Sequence, residues 1–350
     1  MAESCLRNEV KVQFEWGTLP PIPDSTGFAG SFAGTAGNVL LVAGGSNFPN
    51  GGTPWNGGTK VWYDKIFALE TAGGSWKEVG KLPRPLGYGV SISTAVGLIC
   101  IGGSNAGGHY NDAFIITYSQ GQAVISSLPS LPVPLANTSG AMADSCIYVA
   151  GGIQAPDAKV TSNGFYMLDL RKPAAWQTLP PVPGASRMLA VAGALGNEFF
   201  LFSGATLKDG KRGYLKDAWR YSKTEGWRAC AEMPHATVAA PSCAYPLNKH
   251  TLVILGGDTG DDADSAAVLR ERHPGFSKAI LAYDAGNDTW QITGDVYTRR
   301  EADAVTHPNN SIWAPVTTTS AYWNGCLVLP GGEVRPGTRT PNVITVKFKH

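Results

Sequence analysis

The sequence predicts an all-β fold: a propeller of six blades, closed by an N-terminal strand that joins the C-terminal blade. An apolar run ending in two small residues recurs six times along the 350 residues. Similar runs before and after each copy complete the pattern of a four-stranded sheet. One outer strand is missing near the C-terminus, and a matching segment stands alone near the N-terminus. Closing a ring of sheets in this way leaves no long free edge.

The repeated apolar run predicts the second strand, b, of each blade. Successive copies among the first five are 49 to 58 residues apart, close to the period of about 50 residues that is typical of kelch propellers. The last interval is 75 residues, which indicates two long loops, one after Gly257 and one between Gly294 and Trp313. The six copies end at Gly45, Gly103, Gly152, Gly204, Gly257 and Gly332.

The flanking runs predict the other three strands and the closure. Small residues before each glycine pair let six inner strands, a, crowd the axis, and an alternating run after each pair predicts strand c. Most copies of the outer strand, d, carry a Trp. Six b strands are followed by only five d strands, and the sixth, around Trp16, precedes the first blade. We therefore expect residues 1–350 to form one six-bladed kelch domain whose sixth blade takes its outer strand from the N-terminus.

Composition and charge exclude several classes of partner. Lysine and arginine number 28 against 27 aspartates and glutamates, so no basic surface is expected for a nucleic-acid backbone. The longest apolar runs, such as residues 39–43 and 252–255, are too short to span a bilayer. The chain as written begins without the basic and apolar regions of a signal peptide, which leaves an intracellular protein or one whose signal was removed.

The six cysteines stand singly, without a C-x-x-C pair, so neither a metal site nor a disulfide framework is expected. Three of them, Cys100, Cys146 and Cys326, lie in apolar runs where a small buried thiol is the expected state. The others are Cys5, Cys230 and Cys243.

The loops after the glycine pairs form the candidate functional face. In a propeller blade the chain runs outward from the axis through strands a to d, so b–c loops and d–a crossovers emerge on one face. The b–c loops here are long and varied, whereas the a–b turns are short. Polar loops that converge over a rigid ring make a pocket, so we expect a site at the axial mouth of this face.

The last b–c loop carries the strongest candidates. Glu333, Arg335 and Arg339 fall within seven residues, and Pro336 and Gly337 constrain the backbone between them. A guanidinium grips a carboxylate through two parallel hydrogen bonds, and a glutamate beside it stays ionised and able to act as a base. We expect this loop to bind a small anionic ligand.

Other polar residues fall on the same face. Asn47, Asn105 and Tyr88 lie near the mouth by loop type and are candidates to bind hydroxyl or amide groups, with ordinary loop hydrogen bonding as the alternative. Arg187, in the crossover before the fourth blade, is a candidate partner for a carboxylate, with an exposed loop charge as the alternative.

Residues 263–275, after the fifth glycine pair, predict a short helix that Pro274 ends. Arg270, Arg272 and His273 of this segment are candidates for the edge of the pocket. We expect them instead to form a solvated helix face.

Three segments together resemble a known family. They are GGEVRPGTRTP at residues 331–341, the run from WGTLPPIP to GGSNFP at residues 16–49, and LGYGVSIS at residues 86–93. They are similar to the kelch-propeller N-acetylneuraminate epimerases, also called sialic acid mutarotases. In better-known members the Glu-to-Arg segment lies in mid-chain and runs directly into the Trp-Leu-Pro-Pro segment. Here these pieces lie at opposite ends, so the chain resembles a cyclically permuted branch of the family.

The resemblance implies interconversion of the α and β anomers of N-acetylneuraminate. The family's proposed catalytic Glu matches Glu333, its partner Arg matches Arg339, and Arg335 stands where the family often has Lys. Opening a hemiketal needs a base to take the anomeric proton and an acid or water to protonate the ring oxygen, and it requires no metal, nucleotide or redox cofactor. We expect Glu333 to be the base and Arg339 to hold the sugar carboxylate or orient the Glu. Characterised relatives are periplasmic, which implies that compartment here, with the cytoplasm as the alternative.

Two other functions are found on kelch propellers. A non-catalytic propeller would bind a glycan or a protein through the same loop face, and the fold alone does not exclude it. The pair of Glu333 and Arg339 favours an enzyme, because an adaptor does not need it. A copper-radical oxidase of the galactose-oxidase type needs Tyr, His and Cys ligands on one metal. The histidines form no ligand-spaced cluster: His109, His235, His250, His273, His307 and His350.

Overall fold

The computed structural model describes residues 12–349, which contain six four-stranded antiparallel sheets. Each sheet is one blade, and the inner strands of neighbouring blades contact one another around the axis. The predicted six-bladed propeller is therefore confirmed. From the axis outward, the strands of the first three blades are Phe32–Ala36, Val39–Ala43, Lys65–Leu69 and Lys77–Lys81; Val90–Ser93, Leu98–Ile101, Ala113–Ser119 and Gln122–Leu128; and Ser139–Ala143, Cys146–Ala150, Phe165–Asp169 and Gln177–Thr178.

The other three blades repeat this order. Their strands, from the axis outward, are Val191–Leu195, Glu198–Phe202, Ala218–Ser222 and Gly226–Cys230; Tyr245–Pro246, Thr251–Gly257, Ser277–Asp284 and Thr289–Asp295; and Ala321–Trp323, Cys326–Pro330, Val343–Lys349 and Gln13–Leu19.

The sixth blade joins the two ends of the described chain, as the strand count predicts. Gln13–Leu19 pairs antiparallel with Val343–Lys349 over seven residue pairs, from Gln13 opposite Lys349 to Leu19 opposite Val343. Beyond the ladder, the N–H of Ile22 donates to the carbonyl of Pro341 at 2.9 Å. The ring is therefore closed by main-chain hydrogen bonds between segments more than 300 residues apart.

Two strands are shorter than the repeat predicts. The outer strand of the third blade is only Gln177–Thr178, and Pro180 and Pro181 follow it closely. The inner strand of the fifth blade is only Tyr245–Pro246. Proline has no N–H to donate to a ladder, so the hydrogen-bonded segment stops at these positions.

The core is divided among the contacts between neighbouring blades. The first and second blades meet through Phe32, Leu41, Leu98 and Phe114, and the other pairs of neighbours bury similar clusters. Tryptophans in or directly before the outer strands add a polar link, because the indole N–H donates to a carbonyl of the preceding blade in four blades. These bonds run from Trp76 to Pro20, from Trp176 to Pro129, from Trp227 to Pro180 and from Trp290 to Ala231, at 2.7–3.0 Å.

A closed ring of backbone hydrogen bonds surrounds the axis. One residue from each crossover donates its N–H to the carbonyl of the equivalent residue in the preceding blade, at 2.7–2.8 Å. All six residues have a φ angle between 52° and 68°, a region that residues other than glycine rarely adopt. A locally strained backbone persists where its surroundings over-determine it, and here the closed ring does so. The members are Gly30, Tyr88, Asn137, Leu189, Ala239 and Thr317.

The b–c loops add short elements on the predicted functional face. Four of them fold back as hairpins, and the loop of the fifth blade holds the predicted short helix. The hairpin strands are Ser46–Asn47 with Val61–Trp62, Ser104–Asn105 with Gly108–His109, Ala205–Lys208 with Lys211–Tyr214, and Glu333–Arg335 with Thr338–Arg339. The helix is Ala266–Leu269, and the 3-10 turns of these loops are Pro54–Asn56 and Arg270–Arg272. A third 3-10 turn, Pro308–Asn310, lies in the crossover from the fifth blade to the sixth.

Within residues 12–349, no helix is long and apolar enough to cross a membrane. The five cysteines in this range are free thiols. Cys100 and Cys146 are buried as expected, whereas Cys326 is only half-buried. Cys5 and His350 lie outside the described residues.

Candidate active site

Six equivalent residues surround the axial mouth. Each is the first residue after a small-residue pair and forms a backbone bridge with the residue that precedes a member of the axial ring. Glu333, for example, exchanges two hydrogen bonds of 2.8 Å with Val316, next to Thr317. The bridge therefore fixes Glu333 beside the axis. The six residues are Ser46, Ser104, Ile153, Ala205, Asp258 and Glu333.

A tight hairpin brings Glu333 and Arg339 together. The two residues are opposite one another in the ladder, and Gly337 makes the turn with a φ of 77°. The N–H of Gly337 donates to Oε1 of Glu333 at 2.8 Å, and Nη1 of Arg339 lies 3.6 Å from the same oxygen. The Pro-Gly turn thus sets the distance between the carboxylate and the guanidinium.

The guanidinium of Arg339 is buried and has unused donors. The side chain of Arg339 is only 5% exposed, and the central carbon of its guanidinium, Cζ, lies 5.0 Å from the centre of the Phe48 ring. Nε and Nη1 have no hydrogen-bond partner among residues 12–349. Burial alone would lower the pKa of Arg339, but Glu333 and Tyr88 outweigh it and raise the pKa. The group is a permanent cation with two buried donors that no residue in this range satisfies.

Tyr88 connects this pair to the axis. Its hydroxyl lies 2.7 Å from Oγ of Ser46 and 3.5 Å from Nη2 of Arg339. Tyr88 also lines the axial cavity, to which all six blades contribute. Glu333 and Arg339 do not line that cavity, so Tyr88 is the contact between the acid–guanidinium pair and the axial channel.

The two candidate asparagines are engaged in holding loops. Asn47 is completely buried; its amide donates to Asp24 and to Gly27, and its carbonyl accepts from Tyr63 at 2.8 Å. The amide of Asn105 is bonded in the same manner, with the carbonyl of Pro85 and the hydroxyl of Tyr110 at 2.8 Å each. These contacts correspond to the alternative of ordinary loop hydrogen bonding.

Arg187 lies inside the protein, not at the mouth. Its side chain is 0% exposed and forms two hydrogen bonds with Asp217, at 2.8 and 2.6 Å. It also donates to the carbonyls of Ser203 and Ala185. Neither the expected contact with substrate nor the alternative of an exposed charge describes this geometry. A buried guanidinium needs such partners, and Arg187 joins the crossover to the fourth blade.

Arg335 points away from Glu333 and Arg339. Its guanidinium is buried, donates to the carbonyls of Glu271 and Ala304, and lies 5.4 Å from the centre of the Trp313 ring. Burial lowers the pKa of Arg335. Its contacts anchor the long loop of the fifth blade to the last hairpin. In that loop Arg270 and Arg272 are exposed, as expected, whereas His273 is buried.

Sequence reasoning missed four residues of the mouth. Lys60 and the aromatic side chains of Phe48 and Trp62 lie in the long first b–c loop. The sequence of this loop does not predict its conformation. Asp258 was recognisable, because it follows the fifth glycine pair just as Glu333 follows the sixth. Burial raises the pKa of Asp258, which accepts from the hydroxyl of Tyr214 at 3.2 Å.

Fold and site together define a kelch-type propeller with an acid–guanidinium pair at its axial mouth. The family model of N-acetylneuraminate epimerase matches residues 6–125 and 128–268, about three quarters of the chain. The chain belongs to this family. The matched ranges end before the hairpin that carries Glu333 and Arg339.

Individual relatives agree over shorter stretches. The N-acetylneuraminate epimerase of Salmonella enteritidis PT4 is 41% identical over 101 residues, 26% of each protein. That of Yersinia pestis is 42% identical over 90 residues, 23% of this chain and 22% of the relative. The matches thus span about a quarter of the curated relatives. The solved structure of YjhT covers 95% of this chain and 100% of its own, with a TM-score of 0.66 and 15% identity, a likeness of fold.

Proposed function

We propose that this protein is an N-acetylneuraminate epimerase that interconverts the α and β anomers by opening and reclosing the sugar ring. Membership of the family supports the choice of substrate. The observation that carries the proposal is the pair of Glu333 and Arg339, a partly exposed carboxylate 3.6 Å from a buried guanidinium with unused donors.

The two side chains divide the work. Arg339 holds the carboxylate of the sugar, which is attached to the anomeric carbon, and so brings the anomeric hydroxyl close to Glu333. Glu333 takes the hydroxyl proton while the bond between the anomeric carbon and the ring oxygen breaks, and the ring oxygen gains a proton. The open-chain ketone turns, recloses on its other face, and the protons return.

The geometry leaves Glu333 able to act as the base. Its distance to Arg339 is longer than a hydrogen bond, and the N–H of Gly337 occupies one acceptor site of one oxygen. A carboxylate has about four acceptor sites, so most remain for the substrate.

The test is the decay of the α anomer after a sialidase releases it, followed by NMR with the spontaneous rate subtracted. We expect the wild-type protein to accelerate the decay and Glu333→Gln to lose about 100-fold or more of that acceleration, the usual contribution of a general base. Glu232→Gln is the matched control, since Glu232 is an exposed partner of Lys216.

Full acceleration by Glu333→Gln would refute the assignment of the base. A wild-type protein that binds N-acetylneuraminate without accelerating its anomerisation would refute the epimerase function and favour the non-catalytic propeller.

The arrangement of the chain is proposed to be a cyclic permutation within the family. In a closed ring the break between the chain ends can move from one loop to another while every strand contact is kept. The sixth blade here combines strands from both ends of the chain. A family match that stops before residue 333 is what a displaced C-terminal segment would produce. The periplasm is the proposed compartment, which cell fractionation would test.

A further inference from the structure

The backbone of Tyr88 is held rigidly at the mouth. Tyr88 is a member of the axial ring with a φ of 63°; its N–H donates to Gly30 at 2.7 Å and its carbonyl accepts from Asn137 at 2.8 Å. The tyrosine ring packs on Gly30 so closely that a Cβ there would lie 2.7 Å from Cδ1. All six ring members share this backbone conformation, and at Tyr88 it carries a phenol whose hydroxyl lies 3.5 Å from Nη2 of Arg339.

Two cations flank the phenol of Tyr88. Arg339 reaches the hydroxyl with Nη2, and Nζ of Lys60 lies 4.0 Å from the centre of the ring. Lys60 also lies 4.7 Å from the Trp62 ring, and within residues 12–349 it has no carboxylate within 4.0 Å. Burial raises the pKa of Tyr88 and so does Glu333, but Arg339 and Lys60 outweigh both and lower the pKa.

The proposed reaction needs an acid as well as a base. Arg339 cannot serve, because a guanidinium does not give up its proton in proteins. Among the described residues no cation is hydrogen-bonded to the hydroxyl of Ser46, and a serine hydroxyl is a much weaker acid than a phenol. Asp258 is engaged with Tyr214 and Gly260 in the loops of the fourth and fifth blades. The phenol of Tyr88 is a proton donor beside the pair, with its hydroxyl 3.5 Å from Nη2 of Arg339.

We propose that Tyr88 is the catalytic acid that protonates the ring oxygen, with Lys60 and Arg339 stabilising its phenolate. The inference rests on the proposed epimerase function and deepens it. In the opening step Glu333 gains the anomeric proton, the carbon–oxygen bond of the ring breaks, a carbonyl forms, and the phenol gives its proton to the ring oxygen. In the closing step the ring oxygen attacks the other face and returns its proton to Tyr88, while Glu333 returns its proton to the new anomeric oxygen.

The first test compares Tyr88→Phe with Tyr110→Phe. Tyr110 is a matched control, since its hydroxyl is also hydrogen-bonded and Arg84 lies over its ring at 4.4 Å, but it belongs to a different loop. We expect Tyr88→Phe to lose about 100-fold or more in the catalysed rate and to bind N-acetylneuraminate, in an NMR titration, within about threefold of wild type. Tyr110→Phe should keep both. Equal rates for Tyr88→Phe and wild type, or a loss of binding that accounts for the lost rate, would overturn the acid role.

The pH profile gives a second test that does not depend on the folding of Tyr88→Phe. An acid must be protonated, so the catalysed rate should fall as the pH rises through the pKa of Tyr88. Lys60→Met removes a charge that lowers this pKa, so the alkaline limb should move to higher pH. An unmoved limb would overturn the inference. If the wild-type protein itself gives no acceleration, the epimerase function fails and this inference fails with it, whereas an active wild type with an unmoved limb refutes only the role of Tyr88.

Discussion

Replacement of Asp217 by Asn should destabilise the protein without impairing its site. The substitution keeps the shape of the side chain but removes the charge that neutralises Arg187, which is 0% exposed. Breaking a fully buried ion pair costs about 3–5 kcal/mol. The side chain of Asp217 keeps 35% of its exposure, so water compensates part of the loss, and Arg187 retains two carbonyl partners. We therefore expect a loss of about 2–3 kcal/mol in the free energy of unfolding.

Urea unfolding followed by tryptophan fluorescence would measure the change. Asp144→Asn is the control, because the ion pair of Asp144 with Arg171 is more than half exposed and should contribute less than about 0.5 kcal/mol. A loss for Asp217→Asn no greater than for the control would refute the reasoning.

The pH dependence of the same variant has a definite sign. Burial raises the pKa of Asp217, but the hydrogen bonds and charge of Arg187, with the indole of Trp219, outweigh it and lower the pKa below its usual value. A lowered pKa stabilises the fold above the unfolded pKa of about 3.9 and loses this effect as the pH falls through the folded value. The difference between wild type and Asp217→Asn should therefore shrink in acid. A difference that grows below pH of about 4 would contradict this assignment.

Two further predictions concern the last hairpin and the ring closure. Gly337→Ala should lower the catalysed rate several-fold, because a Cβ would lie 2.5 Å from Cδ of Pro54 and displace the N–H bonded to Glu333. Gly210→Ala is the control for backbone strain alone, since Gly210 has a similar φ in an open hairpin turn. This control should leave the rate unchanged. A re-permuted chain, with Lys349 linked to Gln13 by a short flexible linker and new ends between Gln120 and Gly121, should fold with wild-type activity, since that two-residue turn is exposed and on the opposite face. Circular dichroism and the anomerisation assay would check both, and an unfolded re-permuted chain would refute the proposed freedom of the break.

The architecture was predictable because it repeats. Each blade shows the same order of small, apolar and alternating runs. The sixth blade lacks an outer strand, and the segment around Trp16 is the one outer-strand pattern left without a blade. The exceptions were local: prolines shortened the outer strand of the third blade and the inner strand of the fifth, where the pattern of apolar residues continues but the ladder cannot.

The candidate site was predictable only in part. Glu333 and Arg339 are close in sequence and joined by a Pro-Gly turn, so local geometry was enough to predict their proximity. In the sequence, Arg187 and Arg335 are candidates for the functional face in the same way as Arg339. In the structure, both are buried and donate to backbone carbonyls. Apart from Ala185, their hydrogen-bond partners lie 16 to 64 residues away along the chain, and no local sequence pattern predicts them.

The sequence by itself determined the number of blades, the closure and the acid–guanidinium hairpin. The blades and their closure follow from a repeated pattern of residues, and the hairpin follows from a short turn between residues close in sequence. Only the tertiary structure decided which charged groups reach the mouth. Tyr88 meets both Arg339 and Lys60 because a ring of six crossovers and a long loop converge there. Such convergence depends on contacts between segments that are far apart in the sequence.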